Sequence, residues 1–226
     1  MRDEEKPDSS RSSSLISHPY IAAILLAAGR SRRMGAFKPL LTFGQSTVIE
    51  SCINNLREGG VERIVVVTGH RGDQLRERLA HLPLSFAVNE DAESEMSVSI
   101  ARGVERLHDE TEALFVALCD QPAVEPWVLR LLIDERAATG ARLVVPEYEG
   151  RGGHPVLLDS DFREELMHLD PQRGLRELFD AHREEVRRVP VASAYVARDM
   201  DTWEDYVALH EEVLGFRPPD QRARHP

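Results

Sequence analysis

Seven short apolar runs punctuate the chain, and between most of them apolar positions recur at the three-to-four-residue spacing of a helix face. The pattern predicts strands over residues 21–27, 63–68, 84–88, 113–118, 142–146, 155–158 and 186–191. It predicts helices over 47–56, 72–82, 98–107, 124–138, 162–169, 175–184 and 202–214. Runs such as IAAILLA, RIVVVT and ALFVAL are apolar without alternation, as in strands covered on both faces. Pro126 falls in the first turn of its helix, where its missing N–H costs nothing.

Strands alternating with helices imply an α/β fold, a mostly parallel sheet between helix layers. Composition does not shift along the chain and no internal linker interrupts it, so residues 20–216 read as one domain. Residues 1–19, with SSRSSSLIS, read as a disordered tail, and residues 217–226, RPPDQRARHP, as a flexible one. In such sheets ligands bind outside the carboxyl ends of the strands. The chemistry should therefore sit in segments 28–38, 69–72, 89–97, 119–122 and 147–155.

Charge narrows the function classes. The 226 residues carry a net charge of −11, which disfavours general binding to nucleic acid or an anionic membrane. No apolar stretch approaches the ~20 residues of a membrane span. The charged, serine-rich start lacks an apolar core, so no signal peptide is expected. Cys52 and Cys119 lie in apolar contexts without disulfide or zinc spacing and read as core residues. A cytoplasmic location fits that usage.

Against this acidic background LAAGRSRRMGAFKPLL, residues 26–41, concentrates Arg30, Arg32, Arg33 and Lys38 around Gly29 and Gly35. The glycines permit positive φ and close backbone approach, and consecutive N–H groups in such a loop can cradle an anion. A polyphosphate is the natural guest; a solvated basic turn is the plainer alternative. Neither the P-loop spacing nor G-x-G-x-x-G is present. A nicotinamide-linked oxidoreductase is disfavoured accordingly.

The stretch LAAGRSRRMGAFK resembles the signature loop L-A-[AG]-G-x-S-x-R-M-G-x-x-K of the MobA-like nucleotidyltransferases, which transfer a nucleoside monophosphate from an NTP to a phosphate-bearing acceptor. The resemblance implies a Rossmann-like nucleotidyltransferase domain whose loop wraps the triphosphate. Leu26, Ala27, Ala28, Gly29, Ser31, Arg33, Gly35 and Lys38 would then bind nucleotide, with Arg33 and Lys38 on the phosphates. Arg30 and Arg32 fall at variable positions.

Further motifs follow in family order. LCDQP, residues 118–122, resembles the metal-binding motif and makes Asp120 the first metal ligand; by itself Asp120 equally reads as a helix cap. DMDTWEDY, residues 199–206, resembles D-I-D-T-P-E-D-[LY], with Trp203 in place of proline, and makes Asp201 the second ligand. Asp201 also reads as a cap with Glu204 as its capping-box partner. In NEDAESEMSVSIARG, residues 89–103, Ser97 and Ser99 would reach a base or ribose, or else cap the helix; Glu95 stands where relatives carry glycine. The segment GGHP, residues 152–155, matches the G-H-P of the molybdopterin-cytidylyltransferase branch and places His154 near the acceptor. DPQRGLREL, residues 170–178, is like D-x-G-A-R-x-L with two extra residues, and offers Arg176 as an acceptor contact or a surface residue.

The resemblance implies a Mg²⁺-dependent transfer, with Mn²⁺ as the alternative ion, of CMP from CTP to molybdenum-bound molybdopterin. Arg33, Lys38 and Asp120 would be the catalytic group and a molybdenum hydroxylase the client. Ala28, where guanylyl-transferring relatives carry glycine, points to CTP over another NTP. Transfer to a sugar or polyol phosphate, or to molybdopterin from GTP, is the alternative within the class. A non-catalytic carrier of the finished cofactor is the alternative outside it.

Overall fold

The computed structural model describes residues 20–31, 33–91 and 94–222. The N-terminal tail expected over residues 1–19, Arg32, and the last four residues of the C-terminal tail lie outside them.

The chain runs β1 (Ile21–Ala27), β2 (Thr42–Phe43), β3 (Ser46–Thr47), α1 (Val48–Glu58), β4 (Arg63–Thr68), α2 (Gly72–Leu79), β5 (Ser85–Val88), α3 (Met96–Val104), β6 (Ala113–Leu118) and α4 (Pro126–Thr139). It continues through β7 (Leu143–Tyr148), β8 (Arg151–Gly152), β9 (Val156–Asp159), α5 (Arg163–Met167), α6 (Leu175–Ala181), β10 (Val186–Pro190) and α7 (Trp203–Leu214). Each expected strand and helix is present, with ends displaced by a few residues.

The main sheet has the order β10-β7-β9-β6-β1-β4-β5, with β8 paired to β7. β6, β1, β4 and β5 are parallel neighbours, as are β10 and β7. β9 is antiparallel to both β6 and β7 and joins the two parallel parts. β2 and β3 form a separate hairpin in the segment after the basic loop, which the apolar pattern had not marked.

Side-chain alternation along β1 shows why a continuous apolar strand is needed. Ile21, Ala23, Leu25 and Ala27 face one core, shared with residues of α1, α2, α4 and α7. Ala22 and Ile24 face a second, shared with α3, α5 and α6. Both faces are covered, so neither set can be polar. α3 lies so close to β1 that a Cβ on Gly103 would collide with Ile24.

β4 and β5 follow β1 outward on one side, and the chain then returns to lay β6 on the other. The crevice at the carboxyl ends of β1 and β6 is thus a topological switch point, where α/β sheets bind ligands.

Candidate functional site

A cleft of about 270 Å³ opens at that switch point. A single water needs only ~10–15 Å³ in the same measure, so the cleft has room for a far larger ligand. Its walls are the ends of three parallel strands: Leu26–Gly29 after β1, Asn89 and Asp91 after β5, and Leu118–Asp120 after β6. Ser31, Lys38, Pro39, Ser94, Met96 and Ser99 complete them.

The basic loop is built around its buried apolar residues. Met34, Ala36 and Phe37 are buried and anchor it to the core. Left-handed backbone occurs at Ser31 (φ 53°) and Gly35 (φ 69°), whereas Gly29, expected to need it, does not adopt it. Gly29 instead borders open space, with nothing within 4 Å of where a Cβ would be. The Lys38 backbone N–H donates to Ser31 Oγ at 3.1 Å, closing the loop on itself.

Lys38 is the electrostatic centre. Its ammonium donates to Asp120 Oδ2 and to Asp201 Oδ1, each at 3.3 Å. Arg33 adds a 3.0 Å pair to Asp201 Oδ2. Two residues 81 positions apart, Asp120 and Asp201, are thus joined through one buried lysine. Burial pushes the Asp120 carboxyl above its ordinary value; Lys38 pulls it down, and the negative charge of Asp199 pushes it up.

Asp120 Oδ1 is buried with no hydrogen-bond partner among the described residues. With Asp201 it offers hard oxygen donors around a single cation, a set that suits Mg²⁺ or Mn²⁺. No group of three or more His, Cys, Asp or Glu suited to a metal occurs among the described residues. That too fits Mg²⁺, which takes one or two carboxylates and fills its shell with phosphate and water.

Leu26, Ala27, Ala28, Gly29, Ser31, Lys38, Ser99 and Asp120 all line the cleft. Gly35 and Arg33 lie on the exposed outer turn of the loop, and Arg33 joins the site through Asp201. Ser97 is buried within α3 and its Oγ has no partner among the described residues. His154 stands beside Asp199: burial lowers its pKa and the Asp199 charge raises it. Arg176 is exposed on α6, which packs on α5, and does not line the cleft.

The helix-cap readings give way to other residues. α7 is capped by Thr202, with Asp205 completing the capping box, so the cap falls one residue after Asp201 and Glu204 takes no part. α4 begins at Pro126 behind Glu125, six residues past Asp120. α3 has Glu95 at its N-cap, so neither Ser97 nor Ser99 caps it.

Two polar groupings had no sequence signature. Asn89, buried, donates through Nδ2 to Ser94 Oγ and Ser99 Oγ, both at 2.8 Å, and fixes one wall of the cleft. Ser99 Oγ accepts that bond and retains its own proton for a ligand. Gln121, also buried, donates to Asp199 Oδ1 at 2.9 Å. Only the position of Asn89 at a strand's carboxyl end, and of Gln121 beside Asp120, could have pointed to them.

Residues 23–186 match the family model of the MobA-like NTP transferase domain. The molybdenum cofactor cytidylyltransferase of Escherichia coli (strain K12) is 28% identical over 194 residues, covering 84% of this chain and 96% of that protein. The crystal structure of Rv0371c from Mycobacterium tuberculosis H37Rv superposes with a TM-score of 0.77 at 30% identity, over 87% of this chain and 100% of that one. A structure of Rv0371c in complex with manganese gives a TM-score of 0.72 at 27% identity, over 86% and 100%.

Proposed function

The chain belongs to the MobA-like NTP transferase family, and from that premise we propose that this nucleotidyltransferase moves CMP from CTP to the phosphate of a molybdopterin-type acceptor, releasing pyrophosphate. The observation that carries the reading is the Lys38 ammonium held between Asp120 and Asp201 at the edge of the strand-end cleft. A pure binding module has no need of a paired carboxylate set there. The likeness to a molybdenum cofactor cytidylyltransferase over most of both chains supports the acceptor class.

Asp120 and Asp201 would hold Mg²⁺, or Mn²⁺, which when bound neutralises charge on the triphosphate. Lys38 and Arg33 turn to the phosphates, where fixed positive charge favours the departing pyrophosphate over the bound ground state. Gly29 leaves backbone open for the phosphate chain. Ala28 and Ser99, on opposite walls, flank the base. His154 and Asp199 lie on the acceptor side. The acceptor phosphate is already an anion, so the protein supplies no general base; it aligns the two phosphates and excludes competing water. A molybdenum hydroxylase would receive the product.

The test is a panel of CTP, GTP, ATP and UTP with Mg²⁺ and a molybdopterin source, read by pyrophosphate release. CTP should lead, and Asp120→Ala should lose turnover with its circular dichroism intact. Full turnover in that variant refutes the metal assignment. Absence of release with every nucleotide favours the cofactor carrier.

A further inference from the structure

The far end of the chain reaches back to the basic loop. After α7 the backbone turns at Gly215 (φ 79°) and the following residues lie against the β2–β3 hairpin and α7. His210, buried, donates from Nδ1 to the Phe216 carbonyl at 2.7 Å and meets the Phe43 ring edge-on at 5.7 Å. The Arg222 guanidinium sits 4.9 Å from the Trp203 ring centre. Between these two anchors Gln221 is buried although its chain neighbours are exposed.

Gln221 Oε1 accepts from the Thr42 backbone N–H at 2.9 Å and from Thr42 Oγ1 at 3.0 Å. The Tyr206 hydroxyl, fully buried, donates to the Thr42 carbonyl at 2.7 Å. All the polar atoms of Thr42 are therefore held by residues at least 164 positions away.

Thr42 is coupled to Lys38 by a stiff connection. Leu40 N bonds Phe37 O and Leu41 N bonds Lys38 O, both at 3.1 Å, so the four residues form a closed turn. Leu41 is fully buried, and its carbonyl accepts from Val48 N at 2.9 Å. Upstream, Ser31 Oγ holds the Lys38 N–H. Lys38 thus sits between two clamps, one inside the loop and one supplied by the C-terminal segment.

We propose that Gln221 is a positioning residue for Lys38: by pinning Thr42 it fixes the downstream end of the phosphate loop in its ligand-ready arrangement. A loop ordered in advance loses less freedom when its ligand binds. The inference rests on the reading of Lys38 as a triphosphate ligand. It gives the described part of the C-terminal segment, residues 217–222, a part in nucleotide binding.

The experiment uses the full chain carrying Gln221→Ala or Gln221→Glu. Three quantities are measured: Thr42 amide exchange, the dissociation constant of CTP with Mg²⁺, and the thermal midpoint. In Gln221→Ala, exchange at Thr42 should quicken about tenfold, as expected for one lost acceptor serving two donors. CTP affinity should fall about three- to tenfold, with the midpoint within ~2 °C of wild type. Gln221→Glu keeps an oxygen at the same place and should restore both. Faster Thr42 exchange with unchanged CTP affinity overturns the proposal. So does unchanged exchange, or affinity that falls with the midpoint and is not rescued by glutamate. If the wild type binds no nucleotide, the reading of Lys38 fails instead, which separates the two failures.

Discussion

Lys38→Met removes the ammonium and leaves a side chain of similar length, so it isolates the charge between Asp120 and Asp201. Each contact is 3.3 Å long. At an effective dielectric of ~20, Coulomb's law gives about 5 kcal/mol for such a pair before desolvation is charged against it. The Asp201 side chain is 40% exposed, so its share shrinks toward the ~0–1 kcal/mol of a surface pair. Asp120 is more enclosed, and removing one partner of a buried pair costs ~3 kcal/mol or more. Asp120 softens that loss by taking up a proton, which its raised pKa makes easier. The net expectation is a loss of ~2–3 kcal/mol, or about 4–12 °C in the thermal midpoint of a chain this size. A divalent ion should reverse it. In the wild type Mg²⁺ or Mn²⁺ must compete with the Lys38 ammonium, so the ion without nucleotide should stabilise little. In Lys38→Met the ion meets two unopposed carboxylates and should recover most of the lost midpoint, while CTP affinity falls about tenfold or more for the lost charged contact. The assay is thermal unfolding of both proteins with and without millimolar Mn²⁺, and with CTP added. Equal midpoint shifts on adding Mn²⁺ would refute the view that the ion and Lys38 compete for the same carboxylates.

Three further outcomes are expected. Ala28→Gly should raise use of GTP relative to CTP about tenfold, the scale of one methyl group in a pocket; an unchanged ratio of kcat/KM removes Ala28 from base choice. Gly153→Ala would drive a Cβ into the Val196 carbonyl, so the 153–155 segment should shift and the midpoint should fall by several degrees, since overpacking costs ~1–3 kcal/mol. His154 has its pKa lowered by burial, so the stability it contributes is present above its unfolded value of ~6.5 and is lost as pH falls through the folded value. His154→Gln should therefore lose less midpoint than wild type between pH 7 and 5, and Asp199→Asn should lower the imidazole titration further, as read by NMR.

The strands were legible because they are buried on both faces. A residue such as Ile24 has no polar side available, so the apolar run marks the strand without reference to its neighbours. Helix ends were less legible: the capping box of α7 could be drawn from Asp201 and Glu204 or from Thr202 and Asp205, and only the backbone at Thr202 decides. The β2–β3 hairpin escaped notice because strands of two residues carry no period. β9 was read as a strand, but its antiparallel seat between β6 and β7 is a matter of pairing, which periodicity does not encode.

The sequence by itself determined the alternation of strands and helices, the basic loop after the first strand, and the acidic segments at residues 120 and 201. Those are local facts of spacing and residue type. The tertiary structure alone decided which distant groups share charge and hydrogen bonds. It set Lys38 between Asp120 and Asp201, gave Ser99 its partner in Asn89, and brought Gln221 back to Thr42 across 179 positions. The physical reason is range: side-chain period is fixed by neighbours a few residues away, whereas a hydrogen bond or ion pair forms only where the folded sheet delivers both partners within about 3 Å.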